Sequence, residues 1–193
     1  MRDLEIREIL RDTILQKFIA DLDSKIVDEL NIPITNSRID IAVLNGHLHG
    51  FEIKSSRDTL NRLPHQIEGY AKVFDYLTVV TEYKHSDKVL KILPDWVGLK
   101  ICVEEPNGIK LVTIRKSYFN RNKEGFFLAK LLWRDEVELI LNNLEISYRK
   151  KDTLWRLCEL LGESLPIAKL SLIVRETLKM RKDWKIKEYY ALG

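Results

Sequence analysis

Arg38 to Ser56 reads RIDIAVLNGHLHGFEIKSS. Two apolar, β-branched runs flank Asn45-Gly46, a dipeptide that marks a tight turn, so the stretch is expected to be a β-hairpin. Asp40, Glu52 and Lys54 interrupt its greasy runs with charge. Side chains alternate along a strand, which puts Asp40 with Ala42 and Leu44 on one face, and Glu52 with Lys54 on one face of the partner strand. The two carboxylates share a face only if cross-strand partners have residue numbers with an even sum. A two-residue Asn45-Gly46 loop gives an odd sum. A three-residue loop, Leu44 to Gly46 with Gly46 left-handed and a bulge, pairs Val43 with His47 and gives an even one, and this register is the one expected.

Outward from the hairpin, the pattern is that of an α/β protein. MRDLEIREILRDTILQKF spaces Leu4, Ile9, Ile14, Leu15 and Phe18 as an amphipathic helix to about Ala20. SKIVDELNIPI fits a strand or a short helical turn ended by Pro33. LPHQIEGYAKVFDY reads as a helix with Pro64 near its start, followed by a buried strand at Leu77 to Tyr83. SDKVLKIL is a short helix. VGLKICVEEPNGIKLVTIRK is a pair of strands around Pro106-Asn107-Gly108. The order α-β-β-β-α-β plus further strand gives a core at residues 1–118, and helical periodicity then dominates 119–193, with Gly162 and Pro166 as punctuation. Trp133, Trp155 and Trp184 are expected to fill the core.

Composition bounds the function. The 193 residues suffice for a core without staples. Cys102 and Cys158 show no paired spacing, which suits a reducing, cytoplasmic setting. No apolar run approaches the roughly 18 residues that a membrane span needs, so a soluble protein without a membrane partner is expected. The net charge of +3 does not by itself identify a nucleic-acid binder. From Glu145 onward there are 11 Lys+Arg against 7 Asp+Glu, and 21 against 22 elsewhere, so the tail is modestly basic. No G-x-x-x-x-G-K-S/T loop is present, which argues against ATP hydrolysis of the P-loop type.

Two carboxylates side by side repel unless a cation or protons intervene. Asp40 and Glu52 therefore make a hard-oxygen pair suited to Mg²⁺ or Mn²⁺, and Lys54 on the same face is placed to orient a metal-bound water or meet charge developing on a phosphate. Phosphodiester hydrolysis is the matching chemistry. The competing reading is that these charges form the hairpin's solvated side. Arg57 and Arg62 follow the second strand closely, where guanidinium groups can grip flanking phosphates or simply face water. Arg175, Lys179 and Lys182, at i, i+4 and i+7, form a basic stripe that can lie along a nucleic-acid backbone or be solvated. His47 and His49 alternate on a strand but lack an evident third metal ligand.

Asp40, an eleven-residue gap and Glu52-Ile53-Lys54 resemble the PD-(D/E)XK nuclease signature, and the α-β-β-β-α-β order is similar to that superfamily's restriction-endonuclease-like core. The stretch from Arg38 to Val80, with LLWRDEVELIL and VRETLKMR further on, resembles small stand-alone bacterial proteins within it. The proline of the signature is absent, since Ile39 precedes Asp40. The resemblance implies a DNA-cleaving enzyme in which Asp40, Glu52 and the Ile53 carbonyl bind metal, Lys54 serves the attacking water and Gln66 steadies the site. It also implies an additional acidic residue near the first helix, with Glu29 the candidate and Glu5 and Glu8 as alternatives. A homodimer is left open. The alternative is a catalytically silent nucleic-acid-binding or protein-interaction module on the same fold.

Overall fold

The computed structural model describes residues 3–33, 35–55, 58–106, 108–182 and 184. The chain starts with helices α1 (Asp3–Asp12) and α2 (Gln16–Ile19) and strands β1 (Lys25–Ile32), β2 (Ser37–Leu44) and β3 (Leu48–Lys54). A short 3-10 turn leads into α3 (Leu63–Ala71), then β4 (Tyr76–Glu82), α4 (Ser86–Ile92), β5 (Gly98–Glu105) and β6 (Gly108–Arg115). Four helices complete it: α5 (Gly125–Ala129), α6 (Arg134–Asn143), α7 (Leu154–Ser164) and α8 (Ile167–Met180). This is a mixed α/β fold. The six strands lie in chain order, antiparallel from β1 to β3, parallel from β3 to β5, and antiparallel again at β6.

Alternation along the central strands feeds two apolar layers. Ile41, Val43, Phe51 and Ile53 pack against Ile6, Leu10 and Leu15 of the N-terminal segment. Ala42, Leu44 and Leu48 face the other way, onto Leu63, Ile67 and Tyr70 of α3. That second layer continues through Leu128, Leu157, Leu170 and Val174, so the C-terminal helices pack in the same apolar cluster as the sheet. The SKIVDELNI ambiguity resolves as strand β1. The expected single N-terminal helix is two, broken between Asp12 and Gln16.

The hairpin register has the expected parity but a different loop. Leu44 pairs with Leu48, Val43 with His49 and Ile41 with Phe51, so the connection is Asn45 to His47 rather than Leu44 to Gly46. Gly46 does not take a positive φ. Asn45 makes the turn instead, its side-chain oxygen accepting the His47 N–H at 3.0 Å.

Alternation breaks in β1 and β2. Val27 and Leu30 on β1, like Ile39 and Ala42 on β2, belong to the same apolar layer although each pair is separated by three positions. Between them lie Glu29, with a left-handed φ of 55°, and Asp40. Such a φ in a residue with a side chain costs about 1–2 kcal/mol.

Two further expectations are corrected. Gly162 is no break between helices but lies inside α7, where a Cβ would meet the Phe126 backbone nitrogen at 2.5 Å; its lack of a side chain lets α5 and α7 touch. Trp155 is 56% exposed and covers Phe126 at the surface rather than filling the core.

Candidate active site

Glu52 and Lys54, two apart on β3, project toward α3, and both are buried. On α3, Gln66 and Tyr70 stand one helical turn apart and so reach the same point. Glu52 Oε1 accepts from Lys54 Nζ at 2.7 Å and from Gln66 Nε2 at 2.9 Å. The Tyr70 hydroxyl lies 2.8 Å from Glu52 Oε2, and Lys54 Nζ also donates to Gln66 Oε1 at 2.9 Å. Burial pushes the Glu52 carboxyl upward, against the pull of Lys54, Tyr70 and Gln66. Burial and the neighbouring Glu52 likewise raise the Tyr70 phenol. On β4, Thr81 steadies the strand by donating its hydroxyl to the Lys54 carbonyl at 2.7 Å.

Asp40 stands beside this network. Its Oδ2 accepts the Ile53 N–H at 2.6 Å, and its Oδ1 accepts from Arg7 of α1 at 2.7 Å. Burial first, and the Glu52 charge second, push Asp40 up to about 7, while Ile53 and Arg7 pull the other way. Arg7 is a hub: it also donates to the Asp40 carbonyl at 2.9 Å, to Asp3 at 2.5 Å and to Glu29. The break in alternation at Glu29 and Asp40 lies where α1 delivers this guanidinium. Asp40 therefore meets α1 on one side and Glu52 on the other.

The chain matches, over residues 3–190, the model of the family described as bacteriophage P4 protein cII. The chain belongs to that family. Protein cII of Enterobacteria phage P4 is 27% identical over 182 residues, covering 94% of this chain and 68% of the phage protein. Among solved structures, a protein of unknown function from Silicibacter pomeroyi aligns with 67% of this chain and 86% of its own at 17% identity, with a TM-score of 0.39. At that score the likeness carries no argument.

The sequence expectations thus meet different fates within this family member. Glu52, Lys54 and Gln66 converge, while Asp40 lies beside them, tied to the Ile53 N–H and near enough for the Glu52 charge to raise its carboxyl. Ile53 contributes its N–H to Asp40. Glu29 is an Arg7 partner on β1, whereas Glu5 and Glu8 are exposed on α1. Among the described residues no three His, Cys, Asp or Glu side chains group as a metal cage. Tyr70 and Arg7 were not anticipated. Tyr70 had a signal, its i+4 spacing from Gln66; Arg7 had none, because its partner Asp40 lies 33 positions away.

Arg62 ends the 3-10 turn before α3 and is exposed; Arg57 lies outside the described residues. The basic stripe is not a row of free cations. Arg175 and Lys179 are only 12% and 13% exposed. Lys179 pairs with Asp23 at 2.6 Å and with Glu176 at 3.2 Å. Lys182 is exposed but lies beyond the end of α8, because the helix stops at Met180. Among the described residues no helix is long and apolar enough to cross a membrane.

Proposed function

We propose that this protein is a metal-dependent nuclease that hydrolyses phosphodiester bonds in DNA, on a core related to the restriction-endonuclease-like αβββαβ arrangement. The observation that carries the reading is the buried Glu52–Lys54–Gln66 network lying against Asp40. A lysine is held at 2.7 Å from a carboxylate, and a second carboxylate close by has its proton affinity raised. A solvated hairpin face does not bury its charges, so the bland account of these residues is disfavoured.

The donor chemistry fits Mg²⁺ or Mn²⁺, which takes one or two protein carboxylates and completes its shell with water and phosphate oxygens. Asp40 and Glu52 would hold the ion, and its role when bound would be to lower the pKa of water and to neutralise phosphate charge. Lys54, fixed by Glu52 and Gln66, orients the attacking water and offers a proton donor to the phosphate oxygens. Gln66 and Tyr70 hold Glu52 in place.

One observation favours the second reading, a silent nucleic-acid-binding or protein-interaction module: Arg7 already occupies Asp40 Oδ1, and Lys54 already faces Glu52. Each carboxylate thus has a resident cation. Incubation of single-stranded, duplex and branched DNA with Mg²⁺ or Mn²⁺ separates the two. Cleavage by the wild type that falls by orders of magnitude in Glu52→Gln and Lys54→Ala, both still folded, is the expected result; Glu52→Gln with undiminished cleavage would refute the metal site. Mn²⁺ titration calorimetry with Asp40→Ala as control reads binding independently of turnover. Absence of both cleavage and Asp40-dependent binding would establish the silent module.

A further inference from the structure

The face of the sheet turned away from Glu52 and Lys54 carries a second feature. Because β3 alternates, His49 and Phe51 point to the α1 side, opposite Gly50 and Glu52. There α1 and α2 reach only part of the sheet, packing against β3 and β1, and a cleft of about 520 Å³ opens beside them over β4, β5 and β6.

One wall of the cleft is apolar, made by Ile14, Phe18, Phe51 and the His49 ring, which stacks on Phe51 at 4.3 Å. His49 Nε2 is satisfied by the Thr78 hydroxyl at 3.0 Å. The cleft is also cationic: Lys17, whose ammonium lies 4.7 Å from the centre of the Phe18 ring, Lys100, Arg115 and Lys116 line it, and no carboxylate does. Arg115 is committed to the Val97 and Pro94 carbonyls, at 2.9 and 2.8 Å, and pairs with Asp95 at 3.7 Å. Lys17, Lys100 and Lys116 form no ion pair with a carboxylate among the described residues. Lys100 donates to Thr113 at 2.5 Å, which leaves the Thr113 hydroxyl hydrogen free to point into the cleft beside Ser117.

Concentrated like charge of this kind is unfavourable in the empty protein. Burial first and Lys17 second lower the Lys100 ammonium, and the same two causes in the same order hold His49 neutral with a value of about 4. Interspersed acidic residues would cancel the repulsion on an ordinary surface. Of the lining cations, Arg115 has such a partner in Asp95, and among the described residues Lys17, Lys100 and Lys116 do not; their uncompensated charge suits an anion, and the volume falls within the usual range for small-molecule clefts, about 300–1,000 Å³. Several ammonium groups and hydroxyls in one cleft with aromatic rings suit a ligand that carries both phosphate oxygens and a planar ring.

We infer that this cleft, formed by Lys17, Phe18, His49, Lys100, Thr113 and Lys116, is a binding site for a nucleoside phosphate, either free or as the terminal nucleotide of a single strand. The inference does not depend on the proposed hydrolytic reading: none of the cleft residues belongs to that centre, and Glu52 and Lys54 project from the opposite face of β3.

Titration calorimetry on the full chain tests it with three probes: ATP, a 5′-phosphorylated oligothymidylate and inorganic tripolyphosphate. Binding of ATP or of the oligonucleotide is expected, each weakened at least about 10-fold by Lys17→Ala and by Lys100→Met, the scale of losing one charge-assisted contact. Lys100→Arg keeps the charge and is expected to retain binding, which guards against mistaking a folding defect for a lost contact. Phe18→Ala is expected to weaken ATP but not tripolyphosphate. ATP binding alone identifies the free nucleotide, and oligonucleotide binding alone the strand end. No binding of either probe at about 1 mM, an affinity too weak for a built site, overturns the inference. So does binding indifferent to both lysine substitutions, or tripolyphosphate bound as tightly as ATP.

Discussion

Lys54→Met exposes the energetics of the candidate site most directly. The Lys54 side chain is 8% exposed, and its loss leaves the Glu52 side chain, at 2% exposure, without the cation 2.7 Å away. Methionine fills the lysine's stem, so the change is chiefly electrostatic. Removing one partner of a buried ion pair costs about 3–5 kcal/mol when the other charge must stay. Glu52 has an escape, however, because a proton neutralises it. Its carboxyl is already raised by burial, and losing Lys54 removes the largest opposing influence. A carboxyl raised above its unfolded value contributes stability that is present at low pH and is lost as pH climbs toward the folded value. The penalty of Lys54→Met should therefore be small near pH 5 and grow with pH, by at most about 1.4 kcal/mol per pH unit for one proton. The double variant Lys54→Met/Glu52→Gln should recover most of the loss at pH 8, since no charge is left buried. Urea unfolding of the wild type, both single variants and the double variant, at several values from pH 5 to pH 8, measures this. Equal destabilisation at both ends of the range, or a double variant no more stable at pH 8 than Lys54→Met, would refute the buried-pair account.

Asp40, pushed up to about 7, costs the folded state stability as pH rises from about 4 toward 7; Asp40→Asn should remove that slope, gaining on the wild type between pH 5 and pH 8 in the same urea experiment. Gly162→Ala should destabilise by about 1–3 kcal/mol, because overpacking against the Phe126 backbone outweighs the roughly 1 kcal/mol that alanine normally brings to a helix. Gly46→Ala, with open space around it, should change the melting temperature little. Glu29→Gly should be more stable than Glu29→Ala by about 1 kcal/mol, since both lose the Arg7 contact but only glycine relaxes the left-handed φ.

Much of the fold could be read from local pattern. Period-two alternation on both sides of Asn45-Gly46 and helical spacing from Leu63 onward each describe which side of an element is apolar, and the sheet and α3 obey them. The same logic placed Glu52 and Lys54 together, because i and i+2 on a strand share a face whatever the rest of the chain does. Parity, too, was accessible, although the loop itself shifted by one residue because Asn45 rather than Gly46 shapes the turn.

What needed the tertiary structure is every contact between elements distant in sequence. Nothing in MRDLEIRE says that Arg7 will lie against Asp40, since helical periodicity describes a face but not where on a sheet the helix is laid. The spacing of Tyr70 from Gln66 puts both on one face of α3, but that the Tyr70 hydroxyl meets Glu52 follows only from where α3 lies on β3. The slip of alternation at Glu29 and Asp40 depends on two strands deforming at the same level, which neither strand's pattern records. Lys17, Lys100 and Lys116 are unremarkable cations in the chain and become a charged wall only when the sheet brings β5 and β6 beside the α1–α2 turn. Local sequence determines the shape and polarity of each element through short-range sterics and periodicity. The packing of elements decides which charges meet, because burial and Coulomb energy depend on positions in space rather than on spacing along the chain.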